Sequence, residues 1–116
     1  MIVVNLALAS ICFSGACHPA LVGTNTPAGT FALSQQQTTE PGYGGDLLVY
    51  REDEKNLWAI HRVYTLNPTE RRVERLASGS VHQRRAVTKG CINIMPDVYQ
   101  KLMDCCSKDF LVINQN

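Results

Sequence analysis

No lysine or arginine occurs before Arg51. That absence removes the basic n-region a secretory signal peptide requires, although residues 1–8 are apolar enough to raise the question. The same stretch is too short to span a bilayer, so it is expected to form the first strand of a folded domain. Charge of one sign is lacking as well. Eleven Lys/Arg against ten Asp/Glu leave a formal +1, which gives no global attraction toward nucleic acid. Spaced Cys-x-x-Cys pairs are missing: Cys17-His18 and Cys105-Cys106 do not present ligands from one turn, so neither a metal nor a cofactor is expected. Internal repeats are absent too. At 116 residues the chain suits one domain, 1–116, with a single core.

Five cysteines are present: Cys12, Cys17, Cys91, Cys105 and Cys106. The odd count fits one free thiol plus up to two disulfides in an oxidising compartment, and equally fits five reduced, buried thiols. Charge is uneven. Residues 61–89 carry seven Lys/Arg (Arg62, Arg71, Arg72, Arg75, Arg84, Arg85, Lys89) against Glu70 and Glu74, a local net of +5. A basic surface there suits a carboxylate-bearing substrate; the plain alternative is a solvated loop and helix face.

Residues 1–13 form a nearly continuous apolar run, closed by a Ser14-Gly15 turn. Strands are expected at 20–23, 29–33, 47–50, 57–60 and 110–113. The polar Pro/Gly-rich stretch 35–45 reads as a flexible loop, and residues 51–56 as a charged hairpin. Asn67-Pro68 reads as the cap and first position of a short exposed helix reaching Ala77. Pro96 opens a second helix, with Val98, Tyr99, Leu102, Met103 and Cys106 at helical spacing. The expected class is mainly β with short helices.

The densest chemical signal is Thr88-Lys89-Gly90-Cys91-Ile92-Asn93, with Ile60-His61 upstream at the end of an apolar run. A thiolate attacks carbonyls well, and an imidazole can take up the thiol proton. Glycine before the cysteine lets backbone approach a substrate, so the Gly90 and Cys91 amides are candidate oxyanion donors. The competing reading of Cys91 is a small apolar core residue. His61 is the candidate general base, with His82 and His18 as rivals. Lys89 brings a positive charge that lowers the thiol pKa if it lies close. A Thr88 hydroxyl can brace the turn, and an Asn93 amide can order the loop.

Two further elements complete a pattern: Thr26-Pro27-Ala28-Gly29-Thr30-Phe31 upstream, and a helix then a strand after the cysteine. Together these resemble the catalytic domain of the L,D-transpeptidases, cysteine enzymes that cross-link bacterial peptidoglycan. That family reads His, a gap, then Ser/Thr-His-Gly-Cys-hydrophobic-Asn/Arg. The resemblance covers nearly the whole chain. It implies a mixed β-sandwich with one packed helix, Cys91 as nucleophile, His61 as base, and the Arg62 carbonyl as the group orienting the imidazole. It further implies peptidoglycan stem peptides as substrate, a thioester intermediate, and a periplasmic or cell-envelope location, with the export signal trimmed away or replaced. Lys89 stands where the family most often has His, Arg62 where a small residue is common. The longer gap from His61 to Thr88 places residues 67–77 as a lid or insertion. Alternatives are a wall-binding module with an unreactive Cys91, a toxin acting on a rival's wall, and an unrelated cysteine peptidase.

Overall fold

The computed structural model describes residues 1–115. Nine strands make two sheets. β1 (Ile2–Asn5), β2 (Ser10–Phe13), β3 (Ala16–Pro19) and β4 (Gly29–Phe31) are followed by β5 (Ser34–Gln37), β6 (Asp46–Glu52) and β7 (Leu57–Arg62). After the helix α1 (Arg72–Ala77) come β8 (Ile92–Ile94), the helix α2 (Pro96–Cys106) and β9 (Leu111–Asn114). One sheet runs β3-β2-β1-β9-β4 and the other β5-β6-β7-β8. Both are mixed, because β1 pairs with β9 and β7 with β8 in parallel.

Alternation of side chains along the strands decides which residues meet between the sheets. Ile2, Val4, Ile11, Phe13, Leu111 and Ile113 face Leu48, Tyr50, Ile60, Ile92 and Ile94 across one core. α2 adds Val98, Tyr99 and Leu102, the apolar stripe its spacing predicts. The domain is therefore mainly β with short helices, as expected. No helix among the described residues is long and apolar enough to cross a membrane.

Several boundaries differ from the sequence reading. The apolar run 1–13 holds a hairpin, and the first strand, expected over residues 1–8, ends at Asn5. Asn5 Oδ1 accepts from the Leu8 N–H at 3.0 Å and Ala9 adopts a left-handed φ of 48°, a local turn that uniform apolarity conceals. Residues 20–23 form isolated bridges, Leu21 to Asn93 and Gly23 to Thr88, rather than a strand of a sheet. Part of the stretch expected to be loop is β5, whose polar residues suit an edge strand with its side chains in water. The expected helix from 67 to 77 is broken. A 3-10 turn at Pro68–Glu70 precedes α1, and Arg71 between them takes a left-handed φ of 52°. Asn67 makes no side-chain capping bond there.

Gly23 is where the chain passes closest to the segment before β8. An added Cβ would fall inside contact distance of the Thr88 carbonyl oxygen. Gly23→Ala should therefore destabilise the fold by about 2 kcal/mol, the usual cost of overpacking against rigid backbone. Urea denaturation of the variant against the parent measures this.

Candidate active site

β7 and the segment leading into β8 bring the two candidate side chains, His61 and Cys91, to one surface. The parallel register of the two strands pairs Ile60 with Ile92 and His61 with Asn93. Ile60 and Ile92 face the core, so His61, Asn93 and Cys91 fall on the opposite face of the same sheet. Cys91 lies roughly 6.5 Å back along the chain from Asn93, two strand residues away. It packs against Leu47, Val49 and Ala59 in a small second apolar cluster. It is partly exposed, and it is the free cysteine of the chain. His61 and Cys91 line the same open cleft of about 350 Å³, together with Tyr43, Tyr64, Glu70, Arg72, Thr88, Lys89 and Gly90.

The imidazole is only 2 % exposed. Its Nδ1 lies 2.6 Å from the Arg62 carbonyl oxygen. A carbonyl only accepts, so Nδ1 carries the hydrogen and the Nε2 lone pair faces the other way. The Tyr43 ring stands edge-on against the imidazole at 4.7 Å between centroids. Burial pushes the His61 pKa down to about 4; the Arg62 carbonyl works against this and the Arg72 charge adds to it. Burial also raises the Cys91 thiol, opposed by the Ala59 backbone N–H and by Arg72. Both shifts favour the neutral forms of the two groups, and the thiol itself donates to the Leu57 carbonyl at 3.7 Å.

The turn holding Cys91 is braced from below. The Gly90 carbonyl accepts from the Tyr50 hydroxyl at 2.9 Å and from the Thr26 hydroxyl at 2.9 Å. Tyr50 reaches it because β6 bulges between Val49 and Arg51, adding one residue against β7. In a trans peptide the next N–H points opposite to the carbonyl, so pinning the Gly90 oxygen aims the Cys91 N–H away from those hydroxyls. Gly90 itself is needed, since a Cβ there would meet the Trp58 ring at 2.6 Å. The Thr88 hydroxyl donates to the Cys91 carbonyl at 2.6 Å, the bracing role read from the sequence.

Asn93 is fully buried, and its Oδ1 accepts from the Tyr64 backbone N–H at 3.1 Å and from Arg72 Nη1 at 3.0 Å. Lys89 is exposed on the cleft wall; the cation that lowers the thiol is Arg72, delivered by α1. Arg62 sends its guanidinium to the other face, 2.7 Å from Asp46 and over the Tyr99 ring. His82 lies elsewhere, exposed in a separate cleft with Arg85, and His18 packs beside Phe13 on the far sheet. Neither rival base lines the Cys91 cleft.

The basic stretch is largely consumed inside the fold. Arg84 is 7 % exposed and donates to the carbonyls of Ala9, Ser78 and Leu8, while Arg75 donates to those of Glu70 and Gln83. Sequence reasoning also missed Tyr43, Tyr50, Tyr64, Glu70 and Arg72. Arg72 and Glu70 were legible only as members of a charged helix. Among the described residues, no cluster of three or more His, Cys, Asp or Glu side chains converges.

Cys12 and Cys17 form a disulfide across the β2–β3 pair, where they are directly registered, and Cys105 and Cys106 form a second between adjacent residues.

No family model matches the chain, and no curated protein matches it. Its fold is similar to that in the structure of Bdellovibrio bacteriovorus Bd1075, with a TM-score of 0.58 and 15 % identity over 97 % of this chain. The chain spans 46 % of that protein's length. At this identity the likeness concerns the fold alone.

Proposed function

We propose that this domain is a cysteine acyltransferase acting on peptidoglycan stem peptides, an L,D-transpeptidase or, with water as acceptor, an L,D-carboxypeptidase. The observation that carries this reading is the shared cleft. A free thiol and an imidazole whose Nδ1–H is fixed by the Arg62 carbonyl open onto the same groove. The motif resemblance adds the substrate class.

In this mechanism the Cys91 sulfur attacks the carbonyl carbon of the third stem residue as His61 Nε2 exchanges its contact with Asn93 Nδ2 for the thiol proton. The developing oxyanion is met by the Cys91 N–H, which the pinned Gly90 peptide directs. The tetrahedral adduct collapses, the C–N bond to the terminal D-alanine breaks, and imidazolium returns its proton to the leaving amine. An amine of a second stem, or water, then attacks the thioester and gives its proton to His61. The sulfur leaves and is reprotonated. Two disulfides beside one free thiol suit an oxidising envelope compartment such as the periplasm.

The test is intact-mass spectrometry after mixing the protein with a stem tetrapeptide ending in D-alanine. Expected are an acyl adduct on Cys91 and released D-alanine. If Cys91 is alkylated readily by iodoacetamide yet forms no adduct with the peptide or with a carbapenem, the enzymatic reading fails. Binding of sacculi without turnover would then support a wall-binding module of the same fold.

A further inference from the structure

Asn93 sits between two groups that together dictate which way its amide faces. Its Oδ1 is occupied by two donors, the Tyr64 backbone N–H and Arg72 Nη1. Its Nδ2 lies 3.5 Å from His61 Nε2. An amide nitrogen donates only, so that contact exists only while Nε2 is an unprotonated acceptor. An imidazolium would set two donors against each other at this point. The Arg62 carbonyl demands the same tautomer from the other side of the ring.

Arg72 is itself held in place. Nη2 donates to Glu70 Oε2 at 3.2 Å, the guanidinium lies 5.4 Å from the Tyr64 ring centre, and the side chain is 13 % exposed. Nε lies 3.2 Å from Glu70 Oε1 without hydrogen-bond alignment. The left-handed Arg71 turns the chain so that the first residue of α1 points into the cleft.

We infer that Arg72 is a positioning residue of this site: through Asn93, whose Nδ2 faces Nε2, it holds His61 as the neutral Nδ1–H tautomer at the edge of the Cys91 cleft. The inference rests on the base role proposed for His61. The segment between β7 and β8 thus completes the base, rather than only covering the cleft as a lid.

Arg72 also acts by charge, and here the sign is distinctive. Its cation opposes protonation of His61 and favours ionisation of Cys91. The other ionisable groups facing the cleft are Tyr43 from the loop before β6, Tyr64 and Glu70 from the segment after β7, and Lys89 from the turn before β8. Removing the guanidinium removes a like charge from the imidazole and a counter-charge from the thiol, and leaves Glu70 unpaired. The first change raises the imidazole midpoint, the second the thiol midpoint, and the third both.

The experiment uses the whole domain and two readouts that need no peptide. Iodoacetamide alkylation of Cys91 across a pH series follows the thiol, and imidazole nitrogen NMR follows His61 and its tautomer. In Arg72→Met both midpoints should rise together, and the population of the Nδ1–H tautomer should fall. Arg72→Lys keeps the charge and should hold both midpoints near those of the parent. If Arg72→Met does not fold, Arg72→Gln drops the charge while keeping a donor, and the same joint rise is expected. Midpoints unmoved, or moving in opposite directions, in the folded neutral variant overturn the inference. Turnover of stem peptide, where present, should fall roughly ten- to a hundredfold in Arg72→Met, as expected for a misaligned base. A parent protein inert toward peptide would overturn the proposed function while leaving the alkylation and NMR results to judge Arg72.

Discussion

Cys91→Ala should abolish acyl-enzyme formation, a loss of at least ~10⁴-fold, while the domain remains folded. The reason is chemical before it is structural. The other four cysteines are committed to the Cys12–Cys17 and Cys105–Cys106 disulfides, so no second thiol can substitute. The side chain packs at the edge of a small cluster with Leu47, Val49 and Ala59, so trimming one sulfur leaves a minor void and costs about 1 kcal/mol. His61→Ala should be less severe in rate, on the order of 10²- to 10⁴-fold, because the thiol can still ionise in water. That loss should shrink at alkaline pH, where solvent removes the proton. The measurement is the rate of thioester formation by mass spectrometry for parent, Cys91→Ala and His61→Ala. A Cys91→Ala variant that still releases D-alanine would refute the nucleophile assignment.

Acid should weaken the fold through His61 over a defined window. The imidazole titrates near 6.5 when the chain is unfolded and is pushed down to about 4 by burial in the fold. Above pH 6.5 neither state holds the proton, and this group adds no pH dependence. Between 6.5 and 4 the unfolded chain binds a proton that the folded one refuses, so stability falls as pH falls. The loss totals about 3 kcal/mol by pH 4, at about 1.4 kcal/mol for each pH unit separating the two midpoints, and then levels off. Asp53 and Asp109, whose carboxyls are held low by backbone N–H donors and by the N-terminal amine, lose their contribution below the unfolded carboxylate value of 3.8. Their window lies beneath that of His61. Urea denaturation at stepped pH should therefore show a slope between 6.5 and 4 that His61→Gln flattens. Parallel curves for parent and variant would show that the ring is not held neutral by burial.

Much of the strand layout was legible because its signals are local. Apolar runs at 47–50 and 57–60 matched β6 and β7, and helical spacing after Pro96 matched α2. The failures have local causes too. Uniform apolarity across residues 1–13 hid the turn that separates β1 from β2. The polar composition of β5 mimicked a loop because an edge strand leaves its side chains in water. Residues 20–23 have strand composition but meet only single partners, at Asn93 and Thr88.

The site divides in the same way. Residue chemistry made Cys91 and His61 candidates, and the motif resemblance singled them out and gave Thr88 and the Arg62 carbonyl their expected supporting roles. The identity of the nearby cation was misjudged. Lys89, two residues from the thiol, lies exposed on the cleft wall, whereas Arg72, nineteen positions away, reaches the centre of the network. Nor does any spacing rule announce that Tyr50 and Thr26 converge on the Gly90 carbonyl.

By itself, then, the order of residues determined which side-chain types are present to carry chemistry and where most strands and the second helix run, because those properties depend on side-chain type and on local periodicity. Only the tertiary structure decided which groups steer them. The parallel β7–β8 register, the bulge at Tyr50 and the left-handed turn at Arg71 are long-range packing outcomes. Through-space distance, on which charge and hydrogen bonding depend, is set by those outcomes rather than by separation along the chain.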